Sequence, residues 1–140
     1  MARADKLTIE KSKVEYYSDF LNNFEKNPVT GFLARVTNEE SVKQSIRNII
    51  LTRRGERFYD PLFGSEVMNA LFEPMDEATF IAIKESIFDS INNFEPRAIL
   101  KDVYVRFISS QNAVSIKIIF SIKNYISDSF NLDLIISRVR

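Results

Sequence analysis

The sequence predicts an α+β fold: helices packed on a three-stranded antiparallel C-terminal sheet, with an extended N-terminal arm. Between residues 38 and 94 apolar residues recur every three or four positions, which is typical of amphipathic helices. Beyond residue 102 they alternate with polar residues, which is typical of strands with one buried face. With 140 residues the chain is long enough for one domain, and we expect the arm over residues 1–30 and a single domain over residues 31–140.

The predicted arm mixes aromatic, charged and amide residues without a sustained period. Asn27-Pro28 and Gly31 mark a turn near its end. A short strand over residues 32–36 is expected to follow. The aromatic side chains of the arm need a surface, on this chain's own core or on a neighbouring protein.

The first predicted helix has Asn38 or Ser41 as its cap and Gly55 as its stop. A short helix is expected over residues 66–72. A long helix is predicted over residues 76–93, with Asp76 at its N-cap. The apolar stripes that define the two longer helices are Val42, Ile46, Ile49 and Ile50 in one, and Phe80, Ile83, Ile87, Ile91 and Phe94 in the other, with Ile81 and Phe88 widening the second.

Residues 55–65, between the first two helices, are predicted to be an ordered irregular segment that packs across the core. Gly and Pro bracket it, but Phe58, Tyr59, Leu62 and Phe63 make it too apolar for a solvated loop.

Three strands are expected after residue 102, with turns near residues 109–112 and 127–128. The last strand runs almost to the end of the chain, so one sheet edge has nothing after it in the sequence to cover it. An open edge invites pairing with another strand. Two alternatives follow: a partner adds a strand there, or the N-terminal arm of the same chain covers it.

Several function classes are not expected. The chain has no His and no Cys, which removes imidazole and thiolate chemistry, and no metal or cofactor site is predicted. A formal net charge of zero argues against nucleic acid as a partner, and no apolar run approaches the length that spans a membrane. The carboxylates that could serve a glycosidase are Glu56, Asp60, Glu73, Asp76 and Glu77. Asp76 and Glu77 are explained as residues at the start of a helix. We therefore expect no catalytic residues.

Glu95-Pro96-Arg97 follows the long helix and forms a rigid kink, because proline forces the preceding residue out of helical geometry. Arginine offers a planar fork that pairs with a carboxylate. The two charges are either presented to a partner or joined in an internal ion pair that ties the helix to the sheet.

An ordered set of motifs resembles the baseplate wedge family of contractile phage tails, which includes the corresponding subunit of type VI secretion systems. The set covers roughly residue 30 to the C-terminus and consists of Ser41-Val42-Lys43-Gln44-Ser45-Ile46, Thr52-Arg53-Arg54-Gly55-Glu56-Arg57, Pro61-Leu62-Phe63-Gly64-Ser65, Leu71-Phe72-Glu73 and Asn93-Phe94-Glu95-Pro96-Arg97. The N-terminal thirty residues match the family poorly.

The resemblance implies a scaffold protein in the tail baseplate of a virion, assembled in the bacterial cytoplasm. It implies that Glu95, Pro96 and Arg97 contact a helical bundle of larger wedge proteins. It also implies that the edge strand with Phe130, Leu132, Leu134 and Ile136 pairs with the first sheath subunits, and tube or hub proteins are further candidate partners. A conformational or packing role is expected for Gly55, Glu56, Arg57, Pro61, Phe63 and Gly64. Because some members carry a lysozyme label, a peptidoglycan-degrading enzyme is the alternative.

Overall fold

The computed structural model describes residues 16–123 and 125–138. The elements run in the order β1 (Ser18–Phe20), β2 (Arg35–Thr37), α1 (Asn38–Leu51), α2 (Val67–Ala70), α3 (Glu77–Phe94), β3 (Ala98–Ile108), β4 (Ala113–Ile122) and β5 (Tyr125–Ser137). A single 3₁₀ turn, Ser109–Gln111, joins β3 to β4. The predicted α+β fold class is confirmed.

The C-terminal sheet is an antiparallel meander in the order β3-β4-β5. Val103 lies opposite Ile118, and Ile118 lies opposite Leu132, so one face of each strand contributes a row of apolar side chains. These rows are buried, as the alternation in the sequence predicted. The opposite face carries Tyr104, Lys117 and Asp133 in one row.

The helices cover the apolar face of the sheet. Ile46 of α1 and Ile83, Ile87 and Ile91 of α3 are fully buried in one core cluster with the inner residues of β3, β4 and β5. The predicted stripes are therefore confirmed at their centres, while Ile81, which was expected to widen the α3 stripe, is 52% exposed. Asp76 is the N-cap of α3 and accepts a hydrogen bond from the Thr79 amide at 2.8 Å.

β1, in the described part of the arm, pairs antiparallel with β2 of the predicted domain, and the two form a small hairpin. The strand expected over residues 32–36 is observed at Arg35–Thr37. Asn38 does not cap α1, because Thr37 precedes the helix; the Asn38 side chain instead accepts a hydrogen bond from the Tyr16 amide at 2.9 Å. Residues 1–15 of the predicted arm lie outside the described residues.

Two further expectations were wrong. The second turn of the meander lies between Ile122 and Tyr125, which are paired, and Ser127 and Asp128 belong to β5. Ser-Asp is typical of turns, but the end of a strand beyond the core tolerates the same composition. The segment of residues 55–65 does not pack all its apolar side chains on the core, because Phe58, Tyr59 and Leu62 are 95%, 100% and 74% exposed.

Candidate functional site

The Glu95-Pro96-Arg97 corner joins the end of α3 to the start of β3. The Glu95 amide donates to the Ile91 carbonyl at 2.9 Å and so completes the last helical turn. The Arg97 carbonyl accepts from the Lys123 amide at 3.1 Å, which fastens the corner to the turn after β4. The backbone is thus held on both sides of Pro96.

The Glu95 side chain points inward and is only 1% exposed. Its carboxylate accepts two hydrogen bonds from the Arg97 guanidinium, Nε to Oε1 at 2.6 Å and Nη2 to Oε2 at 2.7 Å. This is the two-pronged geometry in which arginine pairs most strongly with a carboxylate. The structure therefore has the internal ion pair, the second of the two alternatives left open by the sequence.

Burial alone raises the pKa of Glu95, because it removes water from the charged form. Hydrogen bonds from Arg97 and Ser45, together with the positive charge of Arg97, outweigh this effect and leave the pKa below its ordinary value. The hydrogen bonds to Glu95 correspondingly raise the pKa of Arg97. Both groups are charged at neutral pH.

The ion pair also connects α1 and the arm. Arg97 Nη1 lies 3.4 Å from the Ser41 hydroxyl, and the guanidinium carbon lies 5.5 Å from the centre of the Tyr17 ring. Ser41 and Ser45 were not predicted as part of this site. Their spacing of four places both on one side of α1, beside the apolar stripe, and this was the available signal.

The surface left at this corner consists of Pro96, which is exposed, and the outer part of Arg97, whose side chain is 28% exposed. Glu95 is thus placed to position Arg97, while Pro96 and Arg97 are the members that another protein can reach.

The packing motif of residues 55–64 lies at the base of a loop that follows α1. The Gly55 amide donates to the Pro61 carbonyl at 2.8 Å and closes the loop. The Glu56 carboxylate accepts from the Arg53 amide at 2.9 Å. The Arg57 guanidinium carbon lies 3.7 Å from the centre of the Phe63 ring, a cation–π geometry.

Gly64 fixes where the loop rejoins the core. Its φ of +111° is rarely adopted by other residues, and a Cβ there would lie 2.4 Å from the Thr52 carbonyl oxygen. The Gly64 carbonyl accepts from the Ser90 hydroxyl at 2.9 Å, and the Phe63 ring lies 5.1 Å from the Phe94 ring. The base of the loop is therefore attached to α3, directly before the Glu95 corner.

The predicted edge strand, β5, pairs on one side with β4. Leu132, Leu134 and Ile136 are buried and Phe130 is partly buried, so all four face the helices. Within residues 16–123 and 125–138 no strand pairs with the other side of β5, because β1 pairs with β2. A strand added there would pair through the backbone N–H and C=O groups of β5.

A surface groove lies beside β5. It is lined by residues of the β1–β2 hairpin, of α1 and of β5, among them Leu21, Val36, Lys43, Arg47 and Leu132. The helical wall of this groove carries Glu40 as well as the two cationic side chains, and Lys43 Nζ lies 2.9 Å from the Glu40 carboxylate.

Two of the carboxylates considered for catalysis have structural roles. Asp76 caps α3, and hydrogen bonds from Thr79 lower its pKa, whereas a general acid needs a raised one. Glu56 holds the Arg53 amide. No group of three or more potential metal ligands occurs among the described residues, and none of the helices described is long and apolar enough to cross a bilayer.

Comparison with known proteins gives three similarities. The chain is 40% identical to the baseplate wedge protein gp25 of Enterobacteria phage T4 over 57 residues, 41% of this chain and 43% of that protein, so the match spans less than half of the relative. A Geobacter sulfurreducens protein described as a tail lysozyme has a similar structure, with a TM-score of 0.66, 26% identity and coverage of 73% of this chain and 92% of that one. A chain of the anti-feeding prophage baseplate gives a TM-score of 0.60 at 22% identity, covering 89% of this chain and 87% of that one, which shows a shared fold.

The sequence profile of the family described as baseplate wedge protein gp25 matches residues 36–125, which is more than half of the chain. The matched region begins in β2 and includes the loop base, the Glu95 corner and β4. This chain belongs to the gp25 family of baseplate wedge proteins, and it is a structural subunit of the wedge type found in contractile tails.

Proposed function

We propose that this chain docks on larger wedge proteins at the Glu95-Pro96-Arg97 corner and starts the sheath by accepting a strand along β5. The observation that carries the proposal is the side of β5, 13 residues long, that no strand of the described residues pairs with, in a subunit of the baseplate family. Unpaired N–H and C=O groups along an edge are the chemistry by which a partner strand is added to a sheet.

The groove beside β5 favours this edge over that of β3. An added strand would lie against α1, where Arg47 offers positive charge beside the Glu40–Lys43 ion pair. The register does not distinguish the two edges, because the pairing with β4 shifts once on each side, between Leu100 and Asp102 of β3 and between Phe120 and Ile122 opposite β5.

At the corner, Pro96 and Arg97 would touch the wedge proteins, and Glu95 would hold the Arg97 fork in place. Pro96 and Arg97 lie between the end of α3 and the start of β3, where the backbone is held on each side. Contacts to tube or hub proteins belong to the same proposal, as does assembly in the bacterial cytoplasm before incorporation into the tail baseplate.

We infer that the protein is not an enzyme. A peptidoglycan-degrading function rests on the description given to the Geobacter sulfurreducens protein, and no geometry at Glu73 or Asp76 favours it in this chain. Incubation of the purified protein with peptidoglycan, with hen lysozyme as a positive control, is expected to release no soluble fragments.

Hydrogen exchange of backbone amides tests the strand addition. The isolated protein is mixed with its cognate sheath subunit, and exchange is followed in peptides that cover β3 and β5. We expect β5 amides on the open side to become protected while those of β3 are unchanged. Equal rates with and without sheath subunit would contradict the proposal for β5, and protection of β3 alone would move the site to the other edge.

The wedge contact is tested by purifying tagged protein expressed with the wedge proteins. Pro96→Ala combined with Arg97→Lys keeps the positive charge but removes the kink and the fork, and it is expected to lower recovery of the wedge proteins. Arg106→Lys, on an exposed position of β3, is the control. Normal recovery with the double variant would contradict the docking site.

A further inference from the structure

The loop from Gly55 to Pro61, together with Leu62, leaves apolar side chains exposed at the surface. Phe58, Tyr59 and Leu62 are the most exposed large apolar side chains near this loop, at 95%, 100% and 74%. The rings of Phe58 and Tyr59 meet edge to face, with their centres 6.1 Å apart. We call these three side chains the aromatic tip.

The backbone below the aromatic tip is fixed. The Gly55–Pro61 hydrogen bond closes the loop, and the Ser65 hydroxyl donates to the Ile50 carbonyl at 2.8 Å. The close approach of Gly64 to Thr52 sets the direction in which the chain leaves the core. A rigid base loses little conformational entropy when the tip is bound, and preorganised aromatic side chains are typical anchors of protein interfaces.

Charged residues surround the aromatic tip unevenly. Arg53, Arg54 and Arg57 precede it, against Glu56 and Asp60. Glu56 is engaged by the Arg53 amide, and Arg54 is exposed and forms no ion pair with any described residue. A surface that receives the tip is therefore favoured by carboxylates around an apolar pocket.

We propose that the aromatic tip inserts into an apolar pocket with an acidic rim on another baseplate subunit and so forms a second anchor beside the Glu95 corner. The Phe63–Phe94 contact joins the base of the loop to the residue that directly precedes Glu95. This inference rests on the proposed function, because it assumes that the chain is held by a larger baseplate protein.

Two other occupants are outcomes of the crosslinking test. A second copy of this chain offers a groove on α3 where Ile81 and Phe88 lie beside Lys84, Glu85 and Asp89, whereas the groove beside β5 has Lys43 and Arg47 against Glu40. A larger subunit is favoured because the base of the loop contacts Phe94, next to the corner proposed to dock on wedge proteins. A nucleic acid would meet a chain with a formal net charge of zero, which has no surplus of positive charge for phosphate binding.

Crosslinking identifies the occupant. A photoreactive benzoylphenylalanine replaces Phe58 in protein co-expressed with the full set of baseplate subunits, and the same probe at Ile81, half-exposed on α3, is the control. We expect the probe at position 58 to link to one larger baseplate subunit, at a peptide with apolar residues and nearby Asp or Glu. A link to a second copy of this chain, or to nucleic acid, would overturn the proposal.

Substitutions measure the contribution of the tip to binding. The triple variant Phe58→Ser, Tyr59→Ser, Leu62→Ser is expected to keep the circular dichroism spectrum and Tm of the parent, because none of the three side chains is buried. Its affinity for the crosslinked subunit is expected to fall at least tenfold. Arg54→Glu should weaken binding severalfold, while Arg106→Glu on β3 should leave it unchanged.

These outcomes separate the inference from the proposed function. Parental affinity of the triple variant, together with sheath protection of β5 and loss of wedge binding at Pro96 and Arg97, would overturn the aromatic tip alone. Absence of all three effects would overturn the proposed function as well.

Discussion

At the residue scale, the Glu95–Arg97 pair places a carboxylate where almost no water reaches it. Removing a charge from water costs several kcal/mol, and the attraction of its partner approximately offsets this. The pair therefore adds little net stability over an apolar substitute. Loss of one partner lowers stability strongly, because it leaves the other charge buried and unpaired.

Arg97→Ala is expected to lower the free energy of unfolding by about 3 kcal/mol, because Glu95 is only 1% exposed and would lose its counter-charge. Glu95→Gln should cost less, because Arg97 is partly exposed and can turn toward solvent. Urea denaturation at neutral pH measures both. A loss below about 1 kcal/mol for Arg97→Ala would mean that water reaches Glu95 after all.

The lowered pKa of Glu95 also predicts a response to acid. The folded state holds this carboxyl charged to a lower pH than the unfolded state, where the ordinary value is 4.5. Its contribution is therefore fully present above the unfolded-state pKa and is lost as the pH falls through the folded-state pKa.

Stability measured in urea from pH 7 to pH 3 should fall less steeply in Glu95→Gln than in the parent protein. Asp76 and Asp102 also have lowered pKa values, so both proteins are expected to lose stability in acid, and the difference between them isolates Glu95. Parallel curves would contradict the role of this carboxyl.

At the element scale, the loop after α1 depends on two glycines with different constraints. Gly55 has φ +82°, and a Cβ at this position would meet no neighbouring atom within 4 Å. Gly64 has φ +111° and lies against the Thr52 carbonyl. Backbone strain applies to both positions, but steric overlap applies to Gly64 alone.

Gly55→Ala should therefore cost about 1 kcal/mol, the ordinary penalty for a side chain in left-handed backbone. Gly64→Ala should cost clearly more, because the Thr52 carbonyl must move as well. Thermal unfolding of the two variants checks this order. Equal losses of stability in the two variants would show that the Thr52 carbonyl moves aside at little cost in free energy.

The elements that could be predicted are those with a long apolar period. The stripes of α1 and α3 and the alternation in β3, β4 and β5 repeat over three or more turns or pairs, so local patterns suffice. The β1–β2 hairpin has three residues in each strand and depends on Asn38 holding the Tyr16 amide, a contact across 22 positions. No local pattern reports such a contact.

The sequence indicated which residues form the candidate sites, but not how their side chains are arranged or buried. Spacing located Glu95 and Arg97, but whether Glu95 is buried depends on Ser41 and Ser45, some fifty residues earlier. For residues 58–62, apolar composition indicated contact with protein. It could not distinguish this chain's own core from the surface of another subunit.

At the scale of the whole molecule, one core joins all the layers. A single cluster of buried residues contains Ile46 of α1, Val67 of α2, Ile87 of α3 and inner residues of the three long strands. We expect one cooperative unfolding transition, because the helices and the long strands described share this core.

Far-ultraviolet circular dichroism and tyrosine fluorescence should give coincident urea transitions. The chain contains five Tyr and no Trp, so tyrosine is the intrinsic probe. Separate transitions would indicate that the β1–β2 hairpin or the sheet unfolds independently.

The length of β5 has a mechanical consequence. At roughly 3.3 Å per residue, its 13 residues extend about 43 Å, whereas the 18 residues of α3 extend about 27 Å. A strand laid along β5 and pulled along its axis would load many backbone hydrogen bonds at the same time, not one after another. Such a joint resists shear, so it could stay closed while a contracting tail pulls on it.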